Sequence, residues 1–154
     1  MDEASWIQIS YPDSRLDWST VTEDTLLQLI KELEEPNCAT LALGELHSRK
    51  HPAVEELCLL LIHNPHADQW LQASALSTLL STSPMKGFDV ALEILMACNA
   101  PQLTEIIEAT NYEYQGDLQE SLFQHPLISA LKKRLQEPEM QNLPFADLFF
   151  ENFS

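Results

Sequence analysis

Glycine, cysteine and positive charge are scarce in this chain of 154 residues, and each scarcity excludes a class of structure or partner. Only 3 glycines are present, which leaves little material for the tight turns of β-hairpins. The 3 cysteines, Cys38, Cys58 and Cys98, lie far apart among helical apolar residues, which indicates buried free thiols rather than a disulfide framework. With 8 bases against 24 acids, the formal net charge of −16 disfavours direct binding of nucleic acid, because a phosphate backbone attracts positive surface.

Long apolar runs and the signatures of common active sites are also missing. No apolar run approaches the ~20 residues of a membrane span, and the start MDEASWIQIS has acids where a secretory signal carries Lys or Arg. We therefore expect a cytoplasmic protein with no membrane association. There is no Gly-rich phosphate loop, no nucleophile elbow and no cysteine pair at metal-ligand spacing. Neither an enzyme nor a bound cofactor or metal is predicted.

What the chain does contain is a series of Leu-rich segments with apolar residues three and four positions apart, separated by prolines. This pattern predicts an all-α fold of antiparallel helix pairs. The predicted helices cover about 20–35, 37–48, 52–62, 67–81, 88–98, 102–109, 117–135 with a break near Pro126, and 145–153. Thr20 and Glu23 have the spacing of a capping box for the first of them.

The organisation along the chain predicts a single domain, 1–154, in three parts. An N-terminal arm (1–18), with a short apolar and polar alternation from Trp6 to Ile9, is expected to pack on the first helix. Helical hairpins follow (19–136), and then a C-terminal capping segment (137–154). The phenylalanines of that segment are expected to close the end of the helical stack; they are Phe145, Phe149, Phe150 and Phe153.

Two of the predicted hairpins repeat each other. ATLALG aligns with ALSTLL, which matches Ala39 with Ala75 and Leu43 with Leu79, 36 positions apart. The stretch ATLALGELHSRKHPAVEELCLLLIHNP resembles the HEAT-like repeat family in its Ala-rich first helix, Leu-Gly step and Val-x-x-Leu second helix. The resemblance covers 39–98 and implies a short HEAT-like superhelix. The basic residue that such repeats place near the start of the first helix is absent, since Pro36 and Gln72 stand there.

The histidines and the paired acids suggest chemistry only weakly. His47 and His51 have the i, i+4 spacing of a metal-ligand pair, but Pro52 follows at once, and the end of a helix is the favoured interpretation. His125, before Pro126, is typical of a loop histidine with no specific role. The pairs Asp89 with Glu93 and Glu105 with Glu108 each share a helical face, where solvated acids are favoured over acid–base catalysts.

Acids dominate the middle of the chain, where Lys86 is the only Lys or Arg between His51 and Leu131. The stretch NYEYQGD places Tyr112 and Tyr114 among acids beside Gly116, in a predicted loop. Either both tyrosines contact a partner, or one packs inward and the other has no role. The residues predicted to contact a cationic partner are Asp89, Glu93, Glu105, Glu108, Tyr112, Glu113, Tyr114, Asp117 and Glu120.

A small, acidic, helical chain without catalytic equipment resembles the bacterial immunity proteins that neutralise toxins, including those of contact-dependent growth inhibition systems. This resemblance implies a cationic partner, a nuclease toxin domain, whose positive substrate cleft an acidic surface would occlude. A HEAT-like scaffold or adaptor for a basic protein is the alternative. An enzyme is the third interpretation, and no group of residues in the sequence supports it.

Overall fold

Helices make up all the regular secondary structure of the computed structural model over residues 2–10, 16–140 and 142–154, which it describes. The predicted all-α fold is therefore confirmed. The α-helices are α1 (Glu3–Ser10), α2 (Glu23–Glu32), α3 (Pro36–Ser48), α4 (Val54–Ile62), α5 (Gln69–Thr82), α6 (Pro84–Ile94), α7 (Ala100–Tyr114), α8 (Gln119–Phe123), α9 (Pro126–Leu135) and α10 (Ala146–Asn152). Short 3₁₀ turns lie at Trp18–Thr20, Leu95–Ala97 and Pro138–Met140.

The helices form two compact units, one that reaches to Thr78 and one from Leu79 to Ser154, with the division inside α5. Each unit has its own buried apolar side chains. The single domain 1–154 and the HEAT-like superhelix stay predictions.

The start of α2 differs from its prediction. Thr22 is the N-cap and accepts a hydrogen bond from the backbone N–H of Thr25, so the predicted capping box of Thr20 and Glu23 is wrong. Thr20 instead ends a 3₁₀ turn that Asp17 caps by accepting from the backbone N–H of Ser19. A short Asp side chain upstream thus holds the chain in a turn, and the helix begins after it.

The helix pair α2 and α3 packs through small and aliphatic residues. Pro36 occupies the first turn of α3, where its missing N–H costs nothing, and the Glu35 side chain caps the helix by accepting from the N–H of Asn37. Ala39 and Leu43 on α3 are buried, as are their proposed equivalents Ala75 and Leu79 on α5. The buried positions of the predicted repeat are therefore confirmed.

The N-terminal segment packs on α2, as predicted for the arm, but its described part is helical. In α1, Ala4 and Ile7 are buried, while Trp6 and Ile9 are exposed. The apparent alternation from Trp6 to Ile9 thus belongs to a helix, because buried positions three residues apart share one helical face. Residues 11–15 of the predicted arm lie outside the described residues.

The second unit contains the break predicted at Pro126, which separates α8 from α9. In this unit α6 packs on α9, and α7 packs on both α8 and α10. Gly87 allows the close contact of α6 with the end of α5, because a Cβ at this position would lie 2.9 Å from the Cα of Leu80. In the tail, Phe149 and Phe153 are buried. The capping role of 137–154 stays a prediction.

Candidate protein-binding surface

Helix α7 carries most of the predicted contact residues and is longer than predicted. Asn99 and Gln102 form a capping box at its start, and the helix continues through Tyr114. The predicted loop placement of Tyr112 and Tyr114 is therefore wrong, because helix α7 continues to the residue before Gln115. Tyr112 is 78% exposed, whereas Tyr114 packs inward against aromatic rings.

Four aromatic rings join the C-terminal end of α7 to α8 and α10. The ring centroid of Tyr114 lies 6.0 Å from that of Phe123 and 5.4 Å from that of Phe153. Phe153 in turn lies 5.2 Å from Phe123 and 5.1 Å from Phe149. Phe149 and Phe153 are buried, but Phe123 remains 48% exposed. The ring cluster therefore fixes three helix ends together and leaves one aromatic face accessible.

Asparagine side chains hold α10 against α7. The Nδ2 of Asn111 donates to the backbone oxygen of Phe145 over 3.2 Å, and the Nδ2 of Asn152 donates to the Oδ1 of Asn111 over 3.1 Å. Phe145 precedes α10 with a φ of 65°, and its side chain is 53% exposed. One turn further, Leu148 is 44% exposed. Large apolar side chains thus reach solvent from each of the three joined helix ends.

The same helices are acidic without exception. Across α7, α8, α10 and the connection 115–118 there is no Lys or Arg. Within the described ranges, the carboxylates on these elements that make no hydrogen bond or ion pair are those of Glu108, Glu113, Asp117, Glu120, Asp147 and Glu151. We call these six acids, together with Tyr112, Phe123, Phe145 and Leu148, the aromatic–acidic surface.

The bases of the second unit lie elsewhere, on α6 and α9: Lys86, Lys132, Lys133 and Arg134. Arg134 is buried and forms ion pairs with Glu137 and Glu139, so its charge is neutralised within the chain. No base on α7, α8 or α10 offsets the acids of the aromatic–acidic surface.

Glu113 illustrates the electrostatic state of this surface. Partial burial raises the pKa of its carboxyl group, and the neighbouring negative charge of Asp117 raises it further. Two carboxylates that repel each other without a cation between them favour the approach of a positive group.

The structure separates the predicted contact residues into two groups. Glu108, Tyr112, Glu113, Tyr114, Asp117 and Glu120 lie on the joined ends of α7 and α8, whereas Asp89 and Glu93 lie on α6. Asp89 also has a partner within the chain, because its Oδ1 lies 2.7 Å from the Nε2 of His125. Glu93 and Glu105 have intramolecular partners too. These three acids are therefore less available to an external cation.

Sequence reasoning missed part of the aromatic–acidic surface and one histidine role. Phe123, Phe145, Leu148, Asp147 and Glu151 were not predicted to contact a partner, because a Phe-rich tail indicates burial. The alternation of acids with Phe and Leu in that tail was the available signal.

His125 has a specific structural role, so the prediction that it has none is wrong. Its Nδ1 accepts from the backbone N–H of Leu127 over 3.0 Å and thereby caps α9. The proton must then be on Nε2, which donates to Asp89.

The weak metal hypothesis for His47 and His51 gains nothing from the geometry. The Nδ1 of His51 accepts from the N–H of Ala53, and its Nε2 lies 2.5 Å from the Oε1 of Glu23. Both ring nitrogens are therefore engaged. Over the ranges that the structure covers, no three His, Cys, Asp or Glu side chains form a group that could hold a metal ion.

Two open cavities lie in the first unit, one lined by α1 and residues 34 and 35, the other by α2 and α4. None of the predicted contact residues lines either of them.

Among the described helices, none is both long enough and apolar enough to cross a membrane. Comparisons of the chain with protein-family models, with curated proteins and with solved structures found nothing that matches it. The functional conclusion therefore depends on the surface itself.

Proposed function

We propose that this protein is an immunity protein that binds and neutralises a basic toxin domain, a nuclease, through the aromatic–acidic surface. The observation that carries the proposal is the combination on three joined helix ends of exposed apolar side chains with carboxylates that have no hydrogen-bond or ion-pair partner among the described residues. A cytoplasmic location follows from the proposal, because the toxin has to be met where its nucleic-acid substrate is.

The two components of the surface have different physical roles in binding. The carboxylates create a negative field that speeds the encounter with a positive substrate cleft, and this effect weakens as salt screens the charges. Tyr112, Phe123 and Phe145 provide large apolar contact area on helix ends that are already fixed by ring packing, so little conformational freedom is lost on binding. Charge therefore governs the association rate, and the aromatic side chains govern the dissociation rate.

To block the substrate cleft of the toxin, the immunity protein needs no catalytic residues of its own. A nuclease cleft binds a polyanion, and a rigid surface rich in carboxylates and poor in bases can occupy the same cleft. In the free protein, Glu113 and Asp117 repel each other. A cationic partner would remove that repulsion, which favours the bound state.

A matched pair of charge reversals tests the proposal. The test variant changes Glu108→Lys and Asp117→Lys on the surface. The control variant changes Asp24→Lys and Glu56→Lys in the first unit, which are also exposed and make no hydrogen bond or ion pair with a described residue. Both variants change the net charge equally. The bait is the toxin domain encoded beside this gene, and binding kinetics, inhibition of its nuclease activity and protection of cells are measured.

We expect the test variant to associate about tenfold more slowly than the wild type and to show a weaker salt dependence, with a much smaller change in the control. Tyr112→Ala should instead raise the dissociation rate, because an exposed aromatic anchor is lost. Equal effects of the two reversals would rule out a local surface in favour of net charge alone. If the bait binds but keeps its nuclease activity, the alternative of a scaffold or adaptor for a basic protein takes the place of the immunity function.

A further inference from the structure

The first unit contains a groove between α2 and α4 with a composition unlike that of the rest of the chain. Five aliphatic side chains form its walls: Ile30, Leu33, Leu57, Leu60 and Leu61. Its volume is about 340 Å³, which is within the lower range of small-molecule sites. Leu60 is 62% exposed there, although burial of a Leu side chain is favourable. The groove therefore offers apolar surface that the chain itself does not cover.

Among the described residues, the polar ones that line this groove are Lys31 and Asn64, and both can donate hydrogen bonds. Lys31 is exposed in the last turn of α2 and forms no ion pair with a described residue. The Oδ1 of Asn64 already accepts from the N–H of His66 over 2.9 Å, whereas its Nδ2 donates to no residue in the described ranges. Two donors without acceptors thus border an aliphatic groove.

The charge of the groove is opposite to that of the protein. Acids outnumber bases 24 to 8 in the chain, yet the described residues of the lining include one base and no acid. A cationic ligand would be repelled by Lys31, whereas an anionic group would be attracted to its ammonium group. The described residues of the walls include no aromatic ring on which a flat aromatic ligand could stack. An anion with a flexible aliphatic body remains.

We propose that this groove binds a free aliphatic carboxylate of medium chain length, with the tail between α2 and α4 and the carboxylate at Lys31 and Asn64. The carboxylate would accept from the Lys31 ammonium group and from the Nδ2 of Asn64, which completes the hydrogen bonding of both donors. The tail would cover Leu57 and Leu60. This site is independent of the aromatic–acidic surface, whose residues all belong to the second unit.

Titration with decanoate, below its micelle concentration, tests the site. Binding is followed by the ¹³C methyl resonances of the leucines, with decanol as the uncharged analogue and decyltrimethylammonium as the cationic one. We expect saturable shifts at Leu33, Leu57, Leu60 and Leu61, about tenfold weaker binding of decanol, and no binding of the cation at the same sites. The variant Lys31→Met keeps the apolar stem but removes the charge, and should weaken decanoate about tenfold while leaving decanol unchanged.

Lys133→Met is the matched control, because Lys133 also lies exposed in the last turn of a helix. It should bind decanoate like the wild type. Three results would each overturn the proposal: no saturable shift of the groove leucines at millimolar decanoate, equal affinity for decanoate and decanol, or unchanged decanoate binding in Lys31→Met. Because Lys31 and Lys133 are exposed, these variants do not depend on rebuilding the core.

Discussion

The two units bury similar aliphatic cores but use their carboxylates differently. In the first unit, several acids are tied to the chain: Glu23 pairs with His51, Glu45 pairs with Arg49, and Glu35 caps α3. In the second unit, the acids of the aromatic–acidic surface make no such contact with described residues. These three carboxylates of the first unit therefore stabilise its own fold, whereas those of the aromatic–acidic surface have no such role in the fold, and Glu113 and Asp117 repel each other.

One device is common to both units and makes the difference clearer. His51-Pro52 and His125-Pro126 each place a histidine before a helix, with Nδ1 accepting a backbone N–H two residues later and Nε2 facing a carboxylate. The two carboxylates, of Glu23 and Asp89, belong to helices far away in sequence. Asp89 is thus an acid of the second unit that has a partner within the chain, as Glu23 has in the first. For this reason it is not part of the aromatic–acidic surface.

The largest expected effect is on the reactivity of the buried thiols, which reports whether the cores of the two units exclude solvent equally. Burial raises the pKa of both Cys58, in the first unit, and Cys98, in the second, from 9.0 to about 12. At pH 8 the thiolate fraction of each should be about a thousandfold lower than in the unfolded chain. We expect both thiols to react with a disulfide reagent slowly in buffer and fast in urea. Rapid reaction of one thiol alone would mean that its unit is open.

The same pKa shifts determine a pH dependence of stability. A thiol whose pKa is higher in the folded than in the unfolded chain contributes its full stability below pH 9.0 and loses it as the pH rises toward 12. The urea midpoint should therefore fall above pH 9, and Cys98→Ser should reduce this fall. If the urea midpoint of Cys98→Ser falls above pH 9 as much as that of the wild type, ionisation of Cys98 does not contribute to the fall.

A core truncation in the first unit should have the next largest effect. Leu43 on α3 is 1% exposed, so Leu43→Ala should lower the free energy of unfolding by about 2–5 kcal/mol. Leu41 lies on the same helix but is 38% exposed, and Leu41→Ala should cost less than about 1 kcal/mol. Urea denaturation measures both. Similar losses for the two variants would mean that α3 is packed differently.

Two glycine substitutions should shift stability in opposite directions. A Cβ at Gly87 would lie 2.7 Å from the Cδ2 of Leu80, so Gly87→Ala should destabilise the second unit by about 1–3 kcal/mol. At Gly44, inside α3, a Cβ would meet nothing within 4 Å, and Gly44→Ala should stabilise the protein by about 0.5–1 kcal/mol through helix propensity. Thermal or urea unfolding of the two variants decides this, and a shared sign would contradict the helix contacts described above.

The smallest expected difference concerns the carboxylates themselves. Asp89→Asn should lower the free energy of unfolding by about 0.5–1 kcal/mol, because the largely exposed Asp89 carboxylate faces His125. Glu120→Gln on the aromatic–acidic surface should change it by less than about 0.5 kcal/mol. If Glu120→Gln destabilises more than Asp89→Asn, the distinction between partnered and unpartnered acids does not hold.

Helix periodicity made most of the fold predictable, and local hydrogen bonding caused the errors. The Leu spacing of α3 and the break at Pro126 depend on residues close in sequence, so both predictions are confirmed. The spacing of Thr20 and Glu23 predicts a capping box because it is a common signature, yet Asp17 holds Thr20 in a turn. Gly116 and the surrounding acids predict a loop for Tyr112 and Tyr114, although α7 continues through Tyr114.

The sequence predicts only part of the aromatic–acidic surface. Acid content and the position of Tyr112 were sufficient to predict part of it. Phe123 and Phe145 were not predicted, because whether a Phe ring is buried or exposed depends on which rings meet it. The contacts that decide this join residues far apart in the sequence, such as the ring contact between Tyr114 and Phe153. The hydrogen bond between Asn152 and Asn111, which holds the same helices together, joins residues 41 positions apart.

The sequence by itself determined the helical class, the positions of the proline breaks and the excess of negative charge, because propensity, periodicity and composition act over a few residues. Only the tertiary structure decided which acids keep a partner. Asp89 is paired because α6 packs on α9, which carries His125 at its start. Glu108 and Asp117 have no hydrogen-bond or ion-pair partner among the described residues, and neither α7 nor the connection 115–118 carries a base of its own. Charge is a property of a residue, but its neutralisation depends on which distant residues the fold brings within a few ångströms.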